Sequence, residues 1–211
     1  MAERPITFSA PMVRAILEGR KTQTRRPIAP PLPSSMVVFE PVGSGQWKGH
    51  DCHGGRWERR CPYGQPGDLL WVRETWAIIW TEREPHWEEG ETARDVPHVI
   101  EYRADTGARY PGGWPDDAGD DPGCPRWRPS IHMPRWASRI TLEVVGVRVE
   151  RLMLISDADV LAEGITREET REYGWLWRPF QLRWDSMYGG TEYAWGHNPW
   201  VWVVEFRKLE V

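Results

Sequence analysis

The sequence has little of several features that mark large classes of protein. It contains only three cysteines among 211 residues, an odd number that is untypical of a disulfide framework and indicates reduced thiols. No apolar run approaches about 18 residues, so no membrane-spanning helix is predicted. Residues 1–8 also lack the apolar stretch of a signal peptide. We therefore expect a cytoplasmic protein that makes no contact with a membrane.

An excess of positive charge is also missing. The formal net charge is −4 at pH 7, whereas domains that coat nucleic acid by bulk attraction are usually basic. Any contact with RNA must therefore come from a local cationic patch. The acidic balance suits a small substrate, such as a nucleoside, better than a long nucleic acid.

Sequence motifs that accompany cofactors and metals are absent as well. The chain has no glycine-rich phosphate loop, nucleophile elbow or His-Glu-x-x-His helix. Cys52, His53 and Cys61 lie close together, and Cys124 and His132 follow further on, but the Cys-x2-Cys spacing of a structural zinc site is missing. We therefore expect neither a metal nor a cofactor.

Tryptophan, in contrast, is abundant, with 15 residues. Its bulky side chain carries one hydrogen-bond donor and suits both cores and flat recognition surfaces. We expect most of these tryptophans to pack in the core. A chain of this length can bury such a core without disulfides or metal, and we predict a single domain over residues 1–211.

The densest polar segment covers residues 19–26 and has the sequence Gly-Arg-Lys-Thr-Gln-Thr-Arg-Arg. A short amphipathic helix precedes it, with Ser9 as the predicted N-cap and an apolar stripe that includes Val13 and Ile16. Gly19 supplies the left-handed residue that ends this helix. The segment is too polar for a core element, so it is the first candidate for a functional site.

Periodicity predicts the remaining elements. Helices are predicted from Ser156 to Gly164 and from Arg178 to Gly189, and strands over residues 69–76, 99–103, 140–152 and 200–206. A change of phase at residues 144–146 predicts a β-bulge. Two segments rich in proline and glycine, at about 27–66 and 81–130, lack periodicity and are predicted as long loop insertions. The pattern favours an α+β fold, namely a small bent β-barrel with flanking helices.

The order of several motifs resembles the ASCH-domain family of the PUA-like superfamily. Ile-Leu-x-Gly-Arg-Lys-Thr-x-Thr at residues 16–24 is followed by Gly-Asp-x-Leu-x-Val at 67–72, Ile-Ser-x-x-Asp-x-x-x-Glu-Gly at 155–164 and Trp-Val-Val-Glu-Phe at 202–206. Cys-Pro-Tyr-Gly at residues 61–64 is similar to the phage-encoded members. The resemblance covers roughly residues 6–26, 61–76 and 131–209, and both predicted insertions lie largely outside it.

This resemblance implies a PUA-like barrel and two different functions. Some small bacterial ASCH proteins are amidohydrolases that remove the acetyl group of N4-acetylcytidine with a lysine, a threonine and a glutamate. The matching positions in this chain are Lys21, Thr24 and Glu163. Other ASCH domains are thought to bind RNA or modified bases without chemistry. The chain is longer than the minimal enzymes, and its insertions lie where they can reshape a pocket.

The chemistry of this trio sets conditions on the structure. A threonine hydroxyl attacks an amide only when a base takes its proton, and Lys21 is such a base only if its pKa lies well below about 10.4. Burial and neighbouring arginines lower that pKa, whereas Glu163 raises it. In a regular strand Lys21 and Thr24 point to opposite faces, so a shared site requires a bend between them. Glu163 is either the carboxylate that orients Lys21 or handles protons, or a solvated helix residue.

Six further residues are candidates for binding the substrate. We expect the arginines of the polar segment to hold the substrate or the oxyanion, and these are Arg20, Arg25 and Arg26. Glu74 either accepts a hydrogen bond from a base amino group or pairs with Arg25 or Arg26. Trp76 either stacks on a base or packs in the core. Asn198 precedes Pro199 and either forms a turn or contacts a polar edge of the ligand.

Three functions remain as hypotheses from the sequence. The first is an amidohydrolase that removes an acyl group from N4-acetylcytidine or a related modified nucleoside, free or derived from RNA. The second is a non-catalytic module for RNA or a modified base, with a phosphate-binding patch made of Arg14, Arg20, Lys21, Arg25 and Arg26. The third is a phage accessory protein that binds another protein through exposed tryptophans. The sequence does not determine the oligomeric state.

Overall fold

The computed structural model describes residues 1–43, 45–80, 98–113 and 124–210, with the side chain of Trp80 left out. The chain forms two compact units. The first comprises Met1–Arg4, Ala15–Leu70 and Ile140–Val211, and the second comprises Pro5–Arg14 and Trp71–Arg139. The single domain expected from the sequence stays a prediction.

The described residues form ten strands and five α-helices. The strands are β1 (Glu3–Thr7), β2 (Gln23–Pro27), β3 (Met36–Gly43), β4 (Gln46–Asp51), β5 (Arg56–Arg60), β6 (Leu69–Arg73), β7 (Trp76–Trp80), β8 (His98–Tyr102), β9 (Thr141–Arg151) and β10 (Trp200–Lys208). The helices are α1 (Ala10–Leu17), α2 (Arg103–Thr106), α3 (Asp157–Ala162), α4 (Arg167–Arg171) and α5 (Trp177–Tyr188).

The predicted α+β class is confirmed, but the barrel is not observed. The strands form a five-stranded sheet in the order β1-β6-β9-β10-β2, a three-stranded sheet β3-β4-β5 and a pair β7-β8. None of these sheets closes into a barrel within the part of the chain that the structure describes. No described helix combines the length and the apolar character that crossing a bilayer requires.

Strand β10 lies in the interior of the five-stranded sheet and pairs antiparallel with β9 and β2. Its register places Val203 opposite Arg25 and Val204 opposite Thr24. Opposite β9, Glu205 pairs with Gly146 and Phe206 with Val144, so Val145 is left as an extra residue. This irregularity confirms the predicted bulge at residues 144–146.

Helices α3 and α5 cover one face of this sheet. A buried apolar cluster joins them to β10, and its members are Leu152, Val160, Ile165, Phe180, Trp184, Trp195, Val201 and Val203. Helix α3 begins as predicted with a capping box, in which the Ser156 side chain and the Asp159 side chain each bond the other residue's backbone N–H. Gly164 then ends the helical turn at φ +86°. The packing brings the C-terminal end of α3 next to β2.

The loop insertion expected at residues 27–66 is wrong, because most of it folds as the antiparallel sheet β3-β4-β5. Its strands are short, and their glycines, prolines and charges obscure the alternation that predicts strands. The sheet is stabilised by tertiary contacts instead. The Trp47 ring lies edge-on to the Trp202 ring of β10 at a centroid distance of 5.6 Å. The Phe39 ring also packs against Trp202, at a centroid distance of 6.2 Å.

The second unit shows where the predicted strand at 69–76 ends. Residues Glu74 and Thr75 separate β6 from β7, and Trp76 begins β7 with backbone hydrogen bonds to Arg128. Strand β8 confirms the predicted strand at 99–103, shifted by one residue. Much of the second predicted insertion, residues 81–97 and 114–123, lies outside the described residues.

Candidate functional site

Lys21 and Glu163 form a buried ion pair at the junction of β2 and α3. Lys21 lies just before β2 and forms an isolated β-bridge with Glu163. Its Nζ donates to Glu163 Oε2 at 2.6 Å, to the Glu163 carbonyl at 3.0 Å and to the Gln23 carbonyl at 2.7 Å. The two residues are only 2% and 4% exposed. The structure thus joins two members of the predicted trio that are 142 positions apart in the sequence.

Close packing at Gly164 supports this bridge. A Cβ at this position would lie 2.8 Å from the Ala15 Cβ and 3.0 Å from the Lys21 Cβ. Its φ of +86° also lies in the region that side chains disfavour. The Glu-Gly step at the end of α3 therefore allows the backbone bridge between Glu163 and Lys21, and the Glu163 carboxylate binds Lys21 Nζ beside it.

Burial lowers the pKa of Lys21 from 10.5 to about 8. The Glu163 carboxylate raises this pKa, while Arg26 and Arg183 lower it further. Desolvation outweighs the ion pair because no water reaches the ammonium group. Lys21 therefore exchanges its proton close to neutral pH, which an exposed lysine does not do.

Arg25 projects from β2 into a group of carboxylates on the same face of the sheet. Its guanidinium bonds Glu150, Asp159 Oδ2 at 3.1 Å and Glu163 Oε1 at 3.4 Å. With Lys21 and Glu163 these side chains form what we term the β2–α3 cluster. Its further members are Gln23, Arg148 and Glu205.

Arg148 on β9 also donates hydrogen bonds to carboxylates of the cluster. It donates to Asp159 Oδ1 at 2.7 Å, to Gln23 Oε1 at 3.2 Å and to Glu205. Although burial raises the pKa of Asp159, hydrogen bonds from Ser156 and the charge of Arg25 lower it to about 2. Asp159 is therefore ionised, and every carboxylate of the cluster already accepts a hydrogen bond.

Three polar groups of β2, in contrast, have no partner among the described residues. Gln23 Nε2, Thr24 Oγ1 and Arg25 Nε are buried and make no hydrogen bond. A buried donor without a partner costs about 1–3 kcal/mol, so such groups are usually satisfied by water or a ligand. Side-chain alternation puts Gln23 and Arg25 on the face of α3, and Thr24 on the opposite face.

Thr24 therefore stands apart from the other two members of the trio. Its hydroxyl makes no hydrogen bond to Lys21 or Glu163, although the residue is fully buried. The register of β2 against β10 is unbroken from Gln23 to Pro27, so no bulge turns Thr24 round. The bend expected between Lys21 and Thr24 lies before β2 begins. There the Thr22 backbone N–H donates to the Ala162 carbonyl, and Lys21 turns toward α3.

Three of the five cations of the predicted phosphate-binding patch do not reach solvent. Lys21, Arg25 and Arg26 are buried, and only Arg14 and Arg20 of the five cations reach solvent. Arg20 pairs with Glu18 and donates to the Gly164 carbonyl at 2.9 Å. The segment satisfies its charges internally because α3 and β9 supply carboxylates that its local sequence does not reveal.

Glu74 lies in the second unit and forms an ion pair, but with Arg139 rather than with the predicted Arg25 or Arg26. The Arg139 guanidinium donates to both Glu74 oxygens at 3.0 and 3.1 Å, and to Asp105 at 2.7 and 2.8 Å. Burial raises the pKa of Glu74, which the bonds from Arg139 oppose. The arrangement favours a structural role for Glu74.

Trp76 and Asn198 also have local partners. Trp76 is buried with Ile78, Met133 and Ala137, which favours core packing over base stacking. Asn198 has a left-handed φ of 45°, and its Oδ1 accepts from the Met153 backbone at 2.8 Å. It therefore forms the turn before β10.

The cysteines show no sign of a metal centre. Cys52 is exposed, Cys61 and Cys124 are buried, and all three are free thiols. Within the described segments, no group of three or more histidine, cysteine or acidic side chains is arranged to hold a metal ion.

Sequence reasoning missed five members of the cluster, which are Gln23, Arg148, Glu150, Asp159 and Glu205. A signal was present, since Gln23 and Arg25 alternate on one predicted strand, and Arg148 and Glu150 alternate on another. Charged residues with period two inside a covered sheet must find partners on the same face. The prediction for β9 relied instead on Val147 and Val149, which alternate with Arg148 and Glu150 and belong to the other face of the strand.

Comparison of the chain with protein-family models, curated proteins and solved structures gives no match.

Proposed function

We propose that this protein is an amidohydrolase of the ASCH type, built on a PUA-like domain, that removes the acyl group from N4-acetylcytidine or a related modified nucleoside. The observation that supports it most strongly is the buried Lys21–Glu163 pair, in which the pKa of Lys21 falls to about 8. A general base works best when its pKa lies near the working pH. Burial gives Lys21 this property without a cofactor.

The reaction uses the trio in two steps. The Thr24 oxygen attacks the acyl carbon while the neutral Lys21 amine takes the hydroxyl proton, and Lys21 then returns a proton to the leaving amino group of the base. Water hydrolyses the resulting threonine ester, with Lys21 again accepting a proton. Because Thr24 lies on the opposite face of β2 and makes no hydrogen bond to Lys21, this step requires the Thr24 hydroxyl to turn toward Lys21 when the substrate binds. Glu163 holds the amine in position.

The unpaired donors of β2 provide a place for a carbonyl oxygen. Gln23 Nε2 and Arg25 Nε lie on the same strand face, next to the carbonyl that binds Lys21 Nζ. Donors on this face stabilise a developing oxyanion once the Thr24 hydroxyl has turned to the same face. Gln23 therefore joins Arg25 as a residue for binding the acyl oxygen.

The charge of the cluster favours a neutral substrate. Lys21, Arg25 and Arg148 contribute three positive charges, whereas Glu150, Asp159, Glu163 and Glu205 contribute four negative ones. The balance within the cluster is one negative charge. Arg26, which also acts on Lys21, offsets this charge, and Arg183 pairs with Glu169. These side chains leave no excess positive charge to attract a phosphate group, which favours a nucleoside over a nucleotide.

Turnover of N4-acetylcytidine, followed by mass spectrometry, tests the proposal. We expect Lys21→Ala and Thr24→Ala to lower turnover by about 1,000-fold or more, since each removes a reacting group. Thr22→Ala, at an exposed neighbouring threonine, and Lys48→Ala, at an exposed lysine, are the matched controls and should retain full activity.

Two outcomes would contradict the proposal. Full activity in both Lys21→Ala and Thr24→Ala would contradict the proposed mechanism. Saturable binding of N4-acetylcytidine without turnover would instead indicate a non-catalytic module for modified bases, the alternative that the sequence left open.

A further inference from the structure

A polar cavity lies in the first unit, beside the Cys-Pro-Tyr-Gly motif that the proposed reaction does not use. Its volume is about 240 Å³, below the range of about 300–1,000 Å³ that is usual for sites of drug-sized ligands. Its polar lining comes from Arg4, Arg60, Cys61, Gln65 and Asp68. The size suits a small ligand or one group of a larger ligand.

The side chains of the two arginines of this cavity form no hydrogen bond or ion pair with the described residues, although the charge of Arg4 acts on Asp68 and Cys61. Arg4 is mostly buried, and its Nε is fully shielded from solvent without a partner. Arg60 ends β5 and is exposed. A guanidinium group without a protein partner can donate its hydrogen bonds to a ligand that has several acceptor oxygens.

The acidic residue of the lining is already engaged. Asp68 Oδ1 accepts from the Ala2 backbone at 2.7 Å, and Oδ2 accepts from the Gln65 backbone at 3.2 Å. These bonds lower the pKa of Asp68, with the bond from Ala2 as the largest cause. Asp68 therefore shapes the wall and forms no ion pair with Arg4, although the charge of Arg4 also lowers the pKa of Asp68.

The remaining groups of the wall do not oppose an anion. Burial raises the pKa of the Cys61 thiol to about 11, so the sulfur is uncharged at neutral pH. Gly64 has a φ of +93°, and a Cβ there would lie 2.7 Å from Asp68 Oδ2, so only glycine allows this close approach. The lining side chains, two arginines against one aspartate, carry one net positive charge, and the terminal ammonium of Met1 adds to it.

We propose that this cavity binds a phosphate-type oxyanion through the guanidinium groups of Arg4 and Arg60. The open donors, the net positive charge and the small volume all match a tetrahedral anion with several acceptor oxygens. Such a group comes either from a free nucleotide or from a nucleic-acid backbone. The inference does not depend on the proposed hydrolase activity.

Titration calorimetry of the full chain with inorganic phosphate, at constant ionic strength, tests this site. We expect saturable binding that weakens about tenfold or more in Arg4→Gln and in Arg60→Gln, because each removes a charge-assisted contact. Arg56→Gln is the matched control, since this exposed arginine of the same strand does not line the cavity and its loss should leave binding unchanged.

Thermal unfolding of each variant separates loss of the site from loss of the fold. If Arg4→Gln unfolds, Arg60→Gln, at an exposed position, still decides the question. Absence of saturable phosphate binding in the native protein would overturn the proposal, and so would equal weakening in Arg56→Gln.

Two further ligands distinguish the sources of the phosphate. Cytidine monophosphate that binds more tightly than cytidine, with the difference lost in Arg60→Gln, identifies a free nucleotide. A single-stranded RNA oligonucleotide that binds more tightly still, with an affinity that falls steeply with salt and depends on both arginines, identifies a nucleic-acid backbone. Affinities that do not depend on either arginine would contradict the site.

Discussion

Both units of the molecule bury a glutamate against a cation, and the two pairs behave differently. In the first unit Lys21 Nζ contacts Glu163 at 2.6 Å, and in the second Arg139 binds Glu74 at 3.0 and 3.1 Å. The Arg139 donors are shared between Glu74 and Asp105, and its guanidinium lies 3.9 Å from the centre of the Tyr102 ring. The three guanidinium nitrogens of Arg139 and both carboxylate oxygens of Glu74 therefore all have hydrogen-bond partners.

The cation decides what each pair can do. The pKa of Arg139 is raised by its two carboxylates in spite of burial, so it never releases a proton in the working range. Burial lowers the pKa of Lys21 to about 8, and unpaired donors lie beside it on β2. A buried ion pair therefore indicates function only when one partner titrates near neutral pH and polar groups without hydrogen-bond partners lie beside it.

The largest expected effect of this difference on activity is a pH profile. Because Lys21 acts as a base only when neutral, we expect kcat/KM to rise about tenfold from pH 7 to pH 9, with a midpoint near 8. Steady-state assays of N4-acetylcytidine hydrolysis across this range measure it. An activity that is flat through pH 8 would show that Lys21 is not the base.

The same titration affects stability, with a defined sign. The pKa of Lys21 is about 8 in the folded chain and 10.5 as the ordinary value, so the unfolded chain binds more protons between these values. The contribution of Lys21 to the free energy of unfolding therefore rises with pH over this window. Urea denaturation should show this rise in the native protein and its loss in Lys21→Met.

The second prediction concerns the structural pair. Arg139→Met leaves Glu74 buried without its partner and should lower the free energy of unfolding by about 3 kcal/mol at pH 7, with hydrolysis unchanged in the folded fraction. The pKa of Glu74 is already raised by burial and will rise further in the variant. Because protonation removes the buried charge, the deficit should shrink as the pH falls below this raised pKa.

Chemical denaturation at pH 7 and at pH 5 checks this expectation, with Arg139→Lys as the variant that keeps the charge but not the paired contacts. A deficit below about 0.5 kcal/mol would show that the pair is no stronger than a surface ion pair. Loss of hydrolysis in folded Arg139→Met would show that the second unit takes part in the reaction.

The smallest expected effect compares two glycines. Gly164 and Gly190 both have positive φ, at +86° and +78°, but only at Gly164 would a Cβ meet other atoms closely. Gly190→Ala should cost about 1 kcal/mol from backbone strain alone, and Gly164→Ala should cost more because it also displaces Lys21. Thermal unfolding measures both, and only Gly164→Ala should shift the pH profile of hydrolysis. Equal effects at the two positions would mean that packing at Gly164 does not position Lys21.

Local elements were predictable because their signals are local. The caps and apolar stripes predict α1 and α3, and the uninterrupted apolar run predicts β10. The sheet β3-β4-β5 escaped prediction because its stability comes from Trp47 packing on Trp202 rather than from an alternating pattern. The break between β6 and β7 was missed for a similar reason, since Trp76 pairs with the distant Arg128.

The sequence by itself determined that a lysine, a threonine and a glutamate stand at positions that resemble a known trio, and that helix α3 ends at Glu163-Gly164. Only the tertiary structure decided that Lys21 meets Glu163, that Arg25 is held among carboxylates of β9 and α3, and that Thr24 occupies the other face of β2. The physical reason is that propensity and capping act within a few residues. Burial, strand register and the pKa of Lys21 depend on groups that folding brings together from distant parts of the chain.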